Sequence, residues 1–203
     1  MKISVNNLCT GYSKDTPLLT DFNYEFDSKI YGILGESGCG KTTLLRTIAG
    51  LTKPLSGEVI VNGTKVTKPN KYTYMMHQNY TSFDWMTCMD NILIAKKVKG
   101  KVTEEDKENA LKWLKLVKLG DHIDKYPKQL SGGMRQRLAL ARTMFMEPDI
   151  ILMDEPLSAL DSETRSDMQI LIHDLHIRTH NTIIMVTHSS KEAEIMCSEI
   201  LKL

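Results

Sequence analysis

The sequence predicts a mixed α/β fold with a mostly parallel sheet, an N-terminal antiparallel β-subdomain and a helical subdomain inserted into the α/β core. Three observations support this prediction. Residues 3–61 contain short apolar strands separated by turns, residues from about 79 to 145 are mostly helical, and the last third alternates strands with helices. Because such alternation is typical of parallel sheets, we expect a single domain over 1–203, with the helical subdomain at about 79–145.

The first elements follow from apolar runs and from the residues that end them. Ile30–Leu34 is a short apolar run followed at once by Gly35, and Lys41–Leu51 is predicted to be a helix. Glu58–Val61 is predicted to be a strand that turns at Asn62–Gly63. The glycine loop between the first strand and helix is therefore flanked by regular structure on both sides.

The later elements follow from helix caps and helical spacing. Thr103 is placed to cap a helix that Gly120 closes. Ile150–Met153 is an apolar strand that ends in two acids, and Thr182–Thr187 is the next strand. The helix between these strands has one apolar face, which consists of Met168, Leu171, Ile172 and Leu175. This order predicts that both strands lie in the parallel sheet.

The composition limits the partners that the chain can use. Its 26 lysines and arginines against 25 aspartates and glutamates give a net charge of +1, so no basic field is available for a nucleic-acid partner. The four cysteines are Cys9, Cys39, Cys88 and Cys197. They form no C-x-x-C pair, so they predict neither a zinc site nor a disulfide framework. Apolar stretches such as Ile183–Val186 are far shorter than the ~20 residues that span a bilayer, so any membrane role requires a partner.

The first motif that carries chemistry is the segment from Gly35 to Thr42, GESGCGKT, which matches G-x-x-x-x-G-K-[ST] after a strand and before a helix. Glycines let backbone N–H groups surround phosphate oxygens, and the helix N-terminus attracts an anion. Lys41 can reach the β- and γ-phosphates, and Thr42 can bind Mg²⁺. The motif in this context predicts a P-loop NTPase core.

The second motif is the apolar strand from Ile150, which delivers Asp154 and Glu155 to the carboxyl edge of the sheet. Ligands bind at this edge in open α/β sheets. Asp154 can hold Mg²⁺ through water, and Glu155 can polarise the attacking water as a general base or by orienting it. An acidic strand end alone is weak evidence, but together with the phosphate loop it strengthens the prediction of an NTPase.

The third motif is the segment from Leu130 to Arg137, LSGGMRQR, which opens a helix running to about Phe145. It resembles the signature sequence of the ABC ATPase family, and the similarity extends from Tyr12 to His188. In that family the signature serine and glycines contact the γ-phosphate held by the opposite subunit. The resemblance therefore implies that Ser131 and Gly133 act in trans and that activity requires a dimer. Met134 stands where the commonest family residue is glutamine.

Four further positions match the family residue by residue. Gln78 resembles the glutamine that contacts Mg²⁺ and the attacking water, and His188 resembles the switch histidine that bonds the γ-phosphate. Asp161, in the segment SALD, matches the loop that couples the two sites of the dimer, although it could equally be a helix N-cap, or both. Tyr12 matches the aromatic residue that stacks on adenine.

The motifs and the resemblance together define the expected site, with ATP and Mg²⁺ as the implied cofactors. The candidate catalytic residues are Glu155, His188, Gln78 and Lys41. The candidate nucleotide-binding residues are Tyr12, Gly35, Glu36, Ser37, Gly38, Cys39, Gly40, Lys41, Thr42, Thr43, Ser131, Gly132, Gly133 and Asp161. The candidate Mg²⁺ ligands are Thr42, Gln78 and Asp154.

Two segments indicate an importer. Tyr126–Pro127 before the signature is frequent in importer-type subunits, and Phe83–Thr87 resembles the corresponding segment of nitrate-, sulfonate- and taurine-type import ATPases. The aromatic residues of Phe83–Thr87 either form a groove that grips a helix of a membrane subunit or pack in the core. The resemblance implies a peripheral protein at the cytoplasmic face of the membrane, with transmembrane permease subunits and a second cassette, identical or paralogous. A substrate-binding protein is a further expected partner.

Other ABC-type functions are weighed against the same residues. An exporter-type cassette remains an alternative. Chromosome-maintenance ATPases share the signature but place a long coiled coil before it, and the roughly ninety residues between Lys41 and Ser131 contain no heptad run. A decayed, non-enzymatic cassette does not fit the presence of Lys41, Asp154, Glu155 and His188.

Overall fold

The structure is a computed structural model that describes residues 2–13, 15–77, 82–158 and 160–203. The strands in these ranges are β1 (Ile3–Gly11), β2 (Pro17–Phe26), β3 (Ile30–Leu34), β4 (Ser56–Val61), β5 (Thr64–Lys65), β6 (Thr73–Met76), β7 (Ile150–Asp154), β8 (Thr182–Val186) and β9 (Glu199–Lys202). The helices are α1 (Lys41–Ile48), α2 (Cys88–Lys99), α3 (Glu104–Leu116), α4 (Gly132–Met144), α5 (Ser162–Thr179) and α6 (Ser190–Met196). None of these helices combines the length and apolar character that crossing a membrane requires.

The strands form two sheets, as the sequence predicted. One is antiparallel with the order β2-β1-β4-β5, and its β4–β5 turn uses left-handed backbone at Asn62 (φ 49°) and Gly63 (φ 75°). The other has the order β6-β7-β8-β3-β9, and every neighbouring pair in it is parallel. The predicted fold class, an α/β core with an N-terminal antiparallel subdomain and helices between the phosphate loop and the acidic strand, is therefore confirmed.

The chain divides into two compact units. The α/β unit consists of Met1–Met76, Pro148–Pro156 and His173–Leu203, and the helical unit consists of His77–Glu147 and Leu157–Ile172. The core of the α/β unit is formed where α1 buries Leu44, Leu45 and Ile48 together with apolar residues of both sheets. Because Ile48 lies four residues after Leu44 and three after Leu45, these side chains line one face of the helix.

The helical unit has a separate core. Apolar residues of α2, α3 and α4 pack together, including Ile92, Leu114 and Leu138, all of which are buried. Thr103 caps α3, as the sequence predicted, by accepting a hydrogen bond from the backbone N–H of Asp106. This core rests on the 3.6-residue spacing of apolar residues within each helix.

Two helices end earlier than the sequence predicted. Helix α1 stops at Ile48 rather than Leu51, because Gly50 takes a left-handed backbone (φ 73°) and the Leu51 N–H bonds to the carbonyl of Arg46 at 2.9 Å. The prediction that Gly120 closes α3 was wrong. Lys118 (φ 59°) occupies the left-handed position, and the Leu119 N–H bonds to the carbonyl of Leu114. Buried Leu119 stabilises this end, and a glycine is not required for it.

Candidate functional site

The phosphate loop, the segment from Gly35 to Gly40, joins β3 to α1. Gly38 (φ 85°) and Gly40 (φ 102°) have left-handed backbones that other residues rarely adopt. Gly40 precedes α1 and offers no side-chain cap, and the first turn of α1 contains no acid. The first N–H groups of α1 therefore form an uncapped, positively polarised helix end that suits an anion.

The Lys41 side chain curls back over this loop. Its Nζ donates hydrogen bonds to the carbonyls of Gly35 at 2.8 Å and Glu36 at 2.6 Å, and only 5% of the residue is exposed. Cys39 Sγ lies 3.8 Å from the same nitrogen. A Cβ on Gly35 would lie 2.7 Å from this sulfur, so a side chain there would have to displace Cys39. The loop thus holds the buried Lys41 ammonium group against its own carbonyl oxygens.

The first turn of α1 meets the end of β7. Thr42 Oγ1 donates a hydrogen bond to Asp154 Oδ1 at 3.0 Å, and Asp154 is buried. The sequence predicted both residues as ligands of one cation from separate motifs. The parallel sheet brings them together, since β7 and β3 both end at the same edge.

Glu155 leaves β7 in an unusual backbone conformation. Its φ is 48°, its N–H bonds to the carbonyl of Val186 at 3.0 Å, and its Oε1 lies 2.5 Å from Nε2 of His188. The side chain of Glu155 is 18% exposed and that of His188 is 46% exposed. Neither the left-handed backbone nor this contact was predicted, because a Glu-Pro pair and a distant histidine give no local signal of them.

Glu155, His188 and part of the phosphate loop face a common cleft of ≈ 160 Å³ in the α/β unit. It is lined by Tyr12, Leu18, Ser37, Gly38, Gly40, Lys41, Thr42, Thr43, Glu155 and His188. Tyr12 stands at this cleft with 88% of its surface exposed. Leu18 was not predicted, because a leucine in an N-terminal strand gives no sign that it faces a ligand; a Cβ on Gly40 would lie 3.1 Å from it.

The signature residues Ser131, Gly132 and Gly133 lie in the helical unit, at the start of α4. Ser131 is exposed, and its hydroxyl accepts a hydrogen bond from the Met134 N–H at 3.2 Å. A Cβ on Gly133 would lie 2.3 Å from Cγ2 of Thr164, so any side chain there would have to displace Thr164. Gly132 has open space around it.

Asp161 caps α5 in the same unit. Its Oδ1 accepts a hydrogen bond from the Thr164 N–H at 2.9 Å, and this bond holds the pKa of the carboxyl below its usual value. The N-cap interpretation of Asp161 is therefore correct, and the dimer role that the resemblance implied stays a prediction. Gln78 and Ala159 lie outside the described residues, so the role of Gln78 stays a prediction.

The chain is similar to known proteins along nearly its whole length. Residues 20–158 match the ABC transporter family. The aliphatic sulfonates import ATP-binding protein SsuB of Bacillus cereus is 36% identical over 205 residues, which cover 99% of this chain and 80% of the relative. The taurine import ATP-binding protein TauB of Roseobacter denitrificans is 39% identical over 204 residues, which cover 98% of this chain and 76% of the relative.

Two solved structures of an ABC transporter cassette are also similar to this chain. A dimeric bacterial ABC transporter cassette, 29% identical, matches with a TM-score of 0.86 over 99% of this chain and 94% of that chain. A dimeric post-hydrolysis state of the same cassette, bound to ADP and Pi, matches with a TM-score of 0.85 and 28% identity over the same shares. The predicted resemblance to sulfonate- and taurine-type import ATPases is confirmed by these comparisons. With a phosphate loop, an acidic strand end and a signature helix in place, the chain belongs to the ABC transporter family as an ATP-binding cassette with ATPase activity.

Proposed function

We propose that this chain hydrolyses Mg-ATP as one of two cassettes that power an import ABC transporter. The observation that carries the proposal is the convergence of Lys41, Thr42, Glu155 and His188 on one cleft of ≈ 160 Å³. Import rather than export is supported by the names of the sulfonate and taurine relatives. Those names describe the cargo of the relatives, whereas the cargo of this chain is selected by other subunits.

The phosphate loop binds the triphosphate of ATP. The N–H groups at the start of α1 donate hydrogen bonds to phosphate oxygens, and the Lys41 ammonium exchanges its bonds to the Gly35 and Glu36 carbonyls for phosphate oxygens. Both carbonyl bonds are short, so the ammonium is held in the loop before nucleotide arrives and loses little freedom on binding. Tyr12, exposed at the edge of this cleft, stacks on the adenine ring.

Thr42 and Asp154 fit a magnesium ion that accompanies ATP. Their Oγ1 and Oδ1 atoms are 3.0 Å apart at the sheet edge, and oxygen atoms are the ligands that Mg²⁺ prefers. Gln78 is the third ligand that the family resemblance implies. When bound, the ion neutralises charge on the phosphates. The hydrogen bond to Asp154 holds the Thr42 hydroxyl at this edge of the sheet.

Glu155 and His188 act on the attacking water and the transferred phosphoryl group. The Glu155 carboxylate orients and polarises the water, and His188 Nε2 donates a hydrogen bond to a γ-phosphate oxygen. The 2.5 Å contact between the two side chains keeps both groups at the same cleft. Because His188 is 46% exposed, its imidazole has room to turn from Glu155 toward the phosphate.

The second cassette completes each site. Ser131, Gly132 and Gly133 of one subunit contact the γ-phosphate held by the loop of the other, and Asp161 lies in the segment that couples the two sites. The dimeric form of the similar bacterial cassette supports this arrangement. The exposed hydroxyl of Ser131 at the N-terminus of α4 supports it as well, because such a helix end attracts an anion.

The helical unit docks against transmembrane permease subunits at the cytoplasmic face of the membrane. Trp85 is 72% exposed, which favours a docking role over core packing for this segment. The side chain of buried Asn91 bonds to the backbone of Phe83, Met86 and Thr87 with lengths of 2.7 to 3.1 Å, so the loop presents Trp85 rigidly. An exposed tryptophan on a rigid loop is a typical binding anchor. A substrate-binding protein would deliver cargo from the other side.

The test is steady-state ATP turnover at increasing protein concentration, with Glu155→Gln beside the wild type. Turnover should rise more steeply than concentration, and Glu155→Gln should lower kcat roughly 10²–10⁴-fold while still dimerising on ATP. Glu108→Gln, on the exposed surface of α3, is the matched control and should hydrolyse ATP as the wild type does. Wild-type turnover by Glu155→Gln would show that the catalytic assignment is wrong.

A further inference from the structure

Glu192 is a buried carboxylate that the mechanism above does not use. It lies in the first turn of α6, only 6% of the residue is exposed, and its N–H bonds to Oγ of Ser189, the residue that caps the helix. Burying a carboxylate costs free energy unless hydrogen bonds compensate for it. The cap bond uses only the backbone of Glu192, so the side chain requires a separate explanation.

The Glu192 carboxylate accepts a hydrogen bond from the hydroxyl of Thr187, which is also buried. Thr187 Oγ1 in turn accepts a hydrogen bond from the Ser189 N–H at 3.1 Å. The Thr187 N–H is held separately by the carbonyl of Ile33 at 3.2 Å. The residues on both sides of His188 are therefore tied, through one hydroxyl, to one carboxylate.

The helix that carries this carboxylate is closely packed on the sheet. A Cβ on Gly32, in the centre of β3, would lie 2.8 Å from Cys197 Sγ and 3.3 Å from Cβ of Ala193. Ala193 and Met196 are buried on the same helix. Helix α6 and the Cys197 that follows it therefore pack closely on β3, and Glu192 lies on a well-packed helix.

His188 itself has little packing to hold it. Nearly half of its side chain is exposed, and Nε2 contacts Glu155 at 2.5 Å. With the ring exposed, the position of the imidazole depends on the backbone of the residues on either side of it. That backbone is the part of the loop that the Thr187 hydroxyl and Glu192 hold in place.

We propose that Glu192 is a positioning residue for ATP hydrolysis, which acts through Thr187 to hold His188 where it can reach both Glu155 and the γ-phosphate. This inference rests on the proposed role of His188 in hydrolysis. It differs from a purely structural role in one respect: loss of the bond should impair the chemical step more than folding or nucleotide binding.

The proposal is tested with variants that change the hydroxyl or its acceptor while keeping side-chain shape. Thr187→Val and Glu192→Met each remove one partner of the bond, whereas Thr187→Ser and Glu192→Gln keep a donor and an acceptor. The first two should lower kcat roughly 10- to 100-fold, the loss expected when a reacting group is displaced by about 1 Å, with KM for ATP within about twofold of wild type. The two conservative variants should retain most of the wild-type kcat. Glu194→Gln, exposed on the same helix, is the control that should change nothing.

The nuclear magnetic resonance signals of the His188 ring provide a second measurement on the full chain without nucleotide. The signal is assigned among the six histidines by its loss in His188→Ala. It should shift in Thr187→Val and Glu192→Met and stay in place in Thr187→Ser. An unchanged signal together with unchanged kcat in Thr187→Val would overturn the proposal. So would a fall in kcat that persists to the same extent in the His188→Ala background, since the effect would then not pass through His188.

Comparing His188→Ala with Thr187→Val separates this inference from the proposed function. If His188→Ala hydrolyses ATP at the wild-type rate, the catalytic role of His188 is wrong, and the positioning claim fails as a statement about hydrolysis. A ring signal that still shifts in Thr187→Val would then identify the Glu192 bond as an anchor of the loop alone. If His188→Ala is impaired but Thr187→Val is not, the proposed function stands and the positioning role is wrong.

Discussion

Helices α1 and α4 both begin at glycine-rich segments, yet their first turns are built differently. Helix α1 follows Gly40, which has a left-handed backbone and no side chain to cap the helix. Helix α4 follows Ser131, whose hydroxyl caps the N–H of Met134 at 3.2 Å. The start of α1 thus leaves its donors open for phosphate, whereas the start of α4 satisfies one donor within its own chain. We expect the first to bind nucleotide in a single subunit and the second to act only in the dimer.

The glycines in the two segments are required for different physical reasons. Gly38 has φ 85°, and a Cβ there would have no heavy atom within 4 Å, so its backbone conformation, not space, favours glycine. Gly133 has no positive φ, but a Cβ there would lie 2.3 Å from Cγ2 of Thr164. Glycine therefore serves a left-handed turn at Gly38 and close helix packing at Gly133.

The largest expected effect would test whether the start of α4 acts on nucleotide in the dimer. Ser131→Ala should lower kcat roughly 10²–10³-fold, the usual cost of losing one transition-state donor, while ATP binding at low protein concentration stays at the wild-type level. Thr103→Ala is the matched control, because it removes an N-cap of the same kind from α3. It should lose about 1 kcal/mol of stability and keep its turnover. Equal loss of turnover in both variants would mean that Ser131 acts only as a cap.

The next effect concerns nucleotide binding by one subunit. Lys41→Met should raise the Kd for ATP roughly 10- to 100-fold, because a hydrogen-bonded charge is typically worth about 1.5–3 kcal/mol. Titration of the isolated subunit with a fluorescent ATP analogue measures this directly. Lys112→Met, at an exposed position of α3, makes the same change in charge away from the loop and should bind as the wild type does. Wild-type affinity in Lys41→Met would mean that the open amides of α1 alone bind the triphosphate.

Packing around the signature helix should produce a smaller effect, on stability. Gly133→Ala should lower the free energy of unfolding by about 1–3 kcal/mol, as overpacking commonly does. Gly132→Ala, with open space around it, should leave stability unchanged or raise it by up to ~1 kcal/mol through helix propensity. Adding Thr164→Ala to Gly133→Ala should recover part of the loss. Denaturant unfolding of wild type and these three variants checks this, and equal stability of Gly133→Ala and Gly132→Ala would contradict it.

The fold was predictable to the extent that it follows from local patterns. The apolar run before Gly35, the acidic end of β7 and the cap at Thr103 each identify an element from neighbouring residues alone. The order of strands in the parallel sheet is different, because it depends on pairs such as Ile30 with Ile183 that lie far apart in the sequence. The end of α3 was mispredicted for a related reason, since burial of Leu119 overrides the usual preference for glycine.

The site was predictable as a set of residues but not as a set of contacts. The motifs named Thr42, Asp154, Glu155 and His188, and the first two do meet through a hydrogen bond. The contact of Glu155 with His188 depends on how β7 and β8 are aligned, which no local pattern encodes. Glu192 was not predicted, because an acid in the first turn of a helix normally interacts with the helix end and needs no other role.

The smallest expected effect concerns α3. Unlike α1, this helix has a side-chain cap and acids in its first turn. Asp106 accepts hydrogen bonds from the N–H and hydroxyl of Thr103 and pairs with Lys96 at 2.9 Å, and these contacts, Lys96 first, lower its pKa to about 2. Because this pKa is below the value of about 3.9 in an unfolded chain, the stabilisation is complete above pH ~4 and disappears as the pH falls toward 2.

Thermal unfolding should therefore show wild type more stable than Asp106→Asn at pH 5, with the difference shrinking toward pH 2. Lys96→Met should reduce the range of pH over which the stability difference changes, since it removes the largest cause of the lowered Asp106 pKa. A difference that stays constant from pH 5 to 2 would mean that the carboxylate charge contributes nothing to the cap. An acid of this kind in the first turn of α1 would compete with phosphate for the same donors, which gives a physical reason why the first turn of α1 contains none.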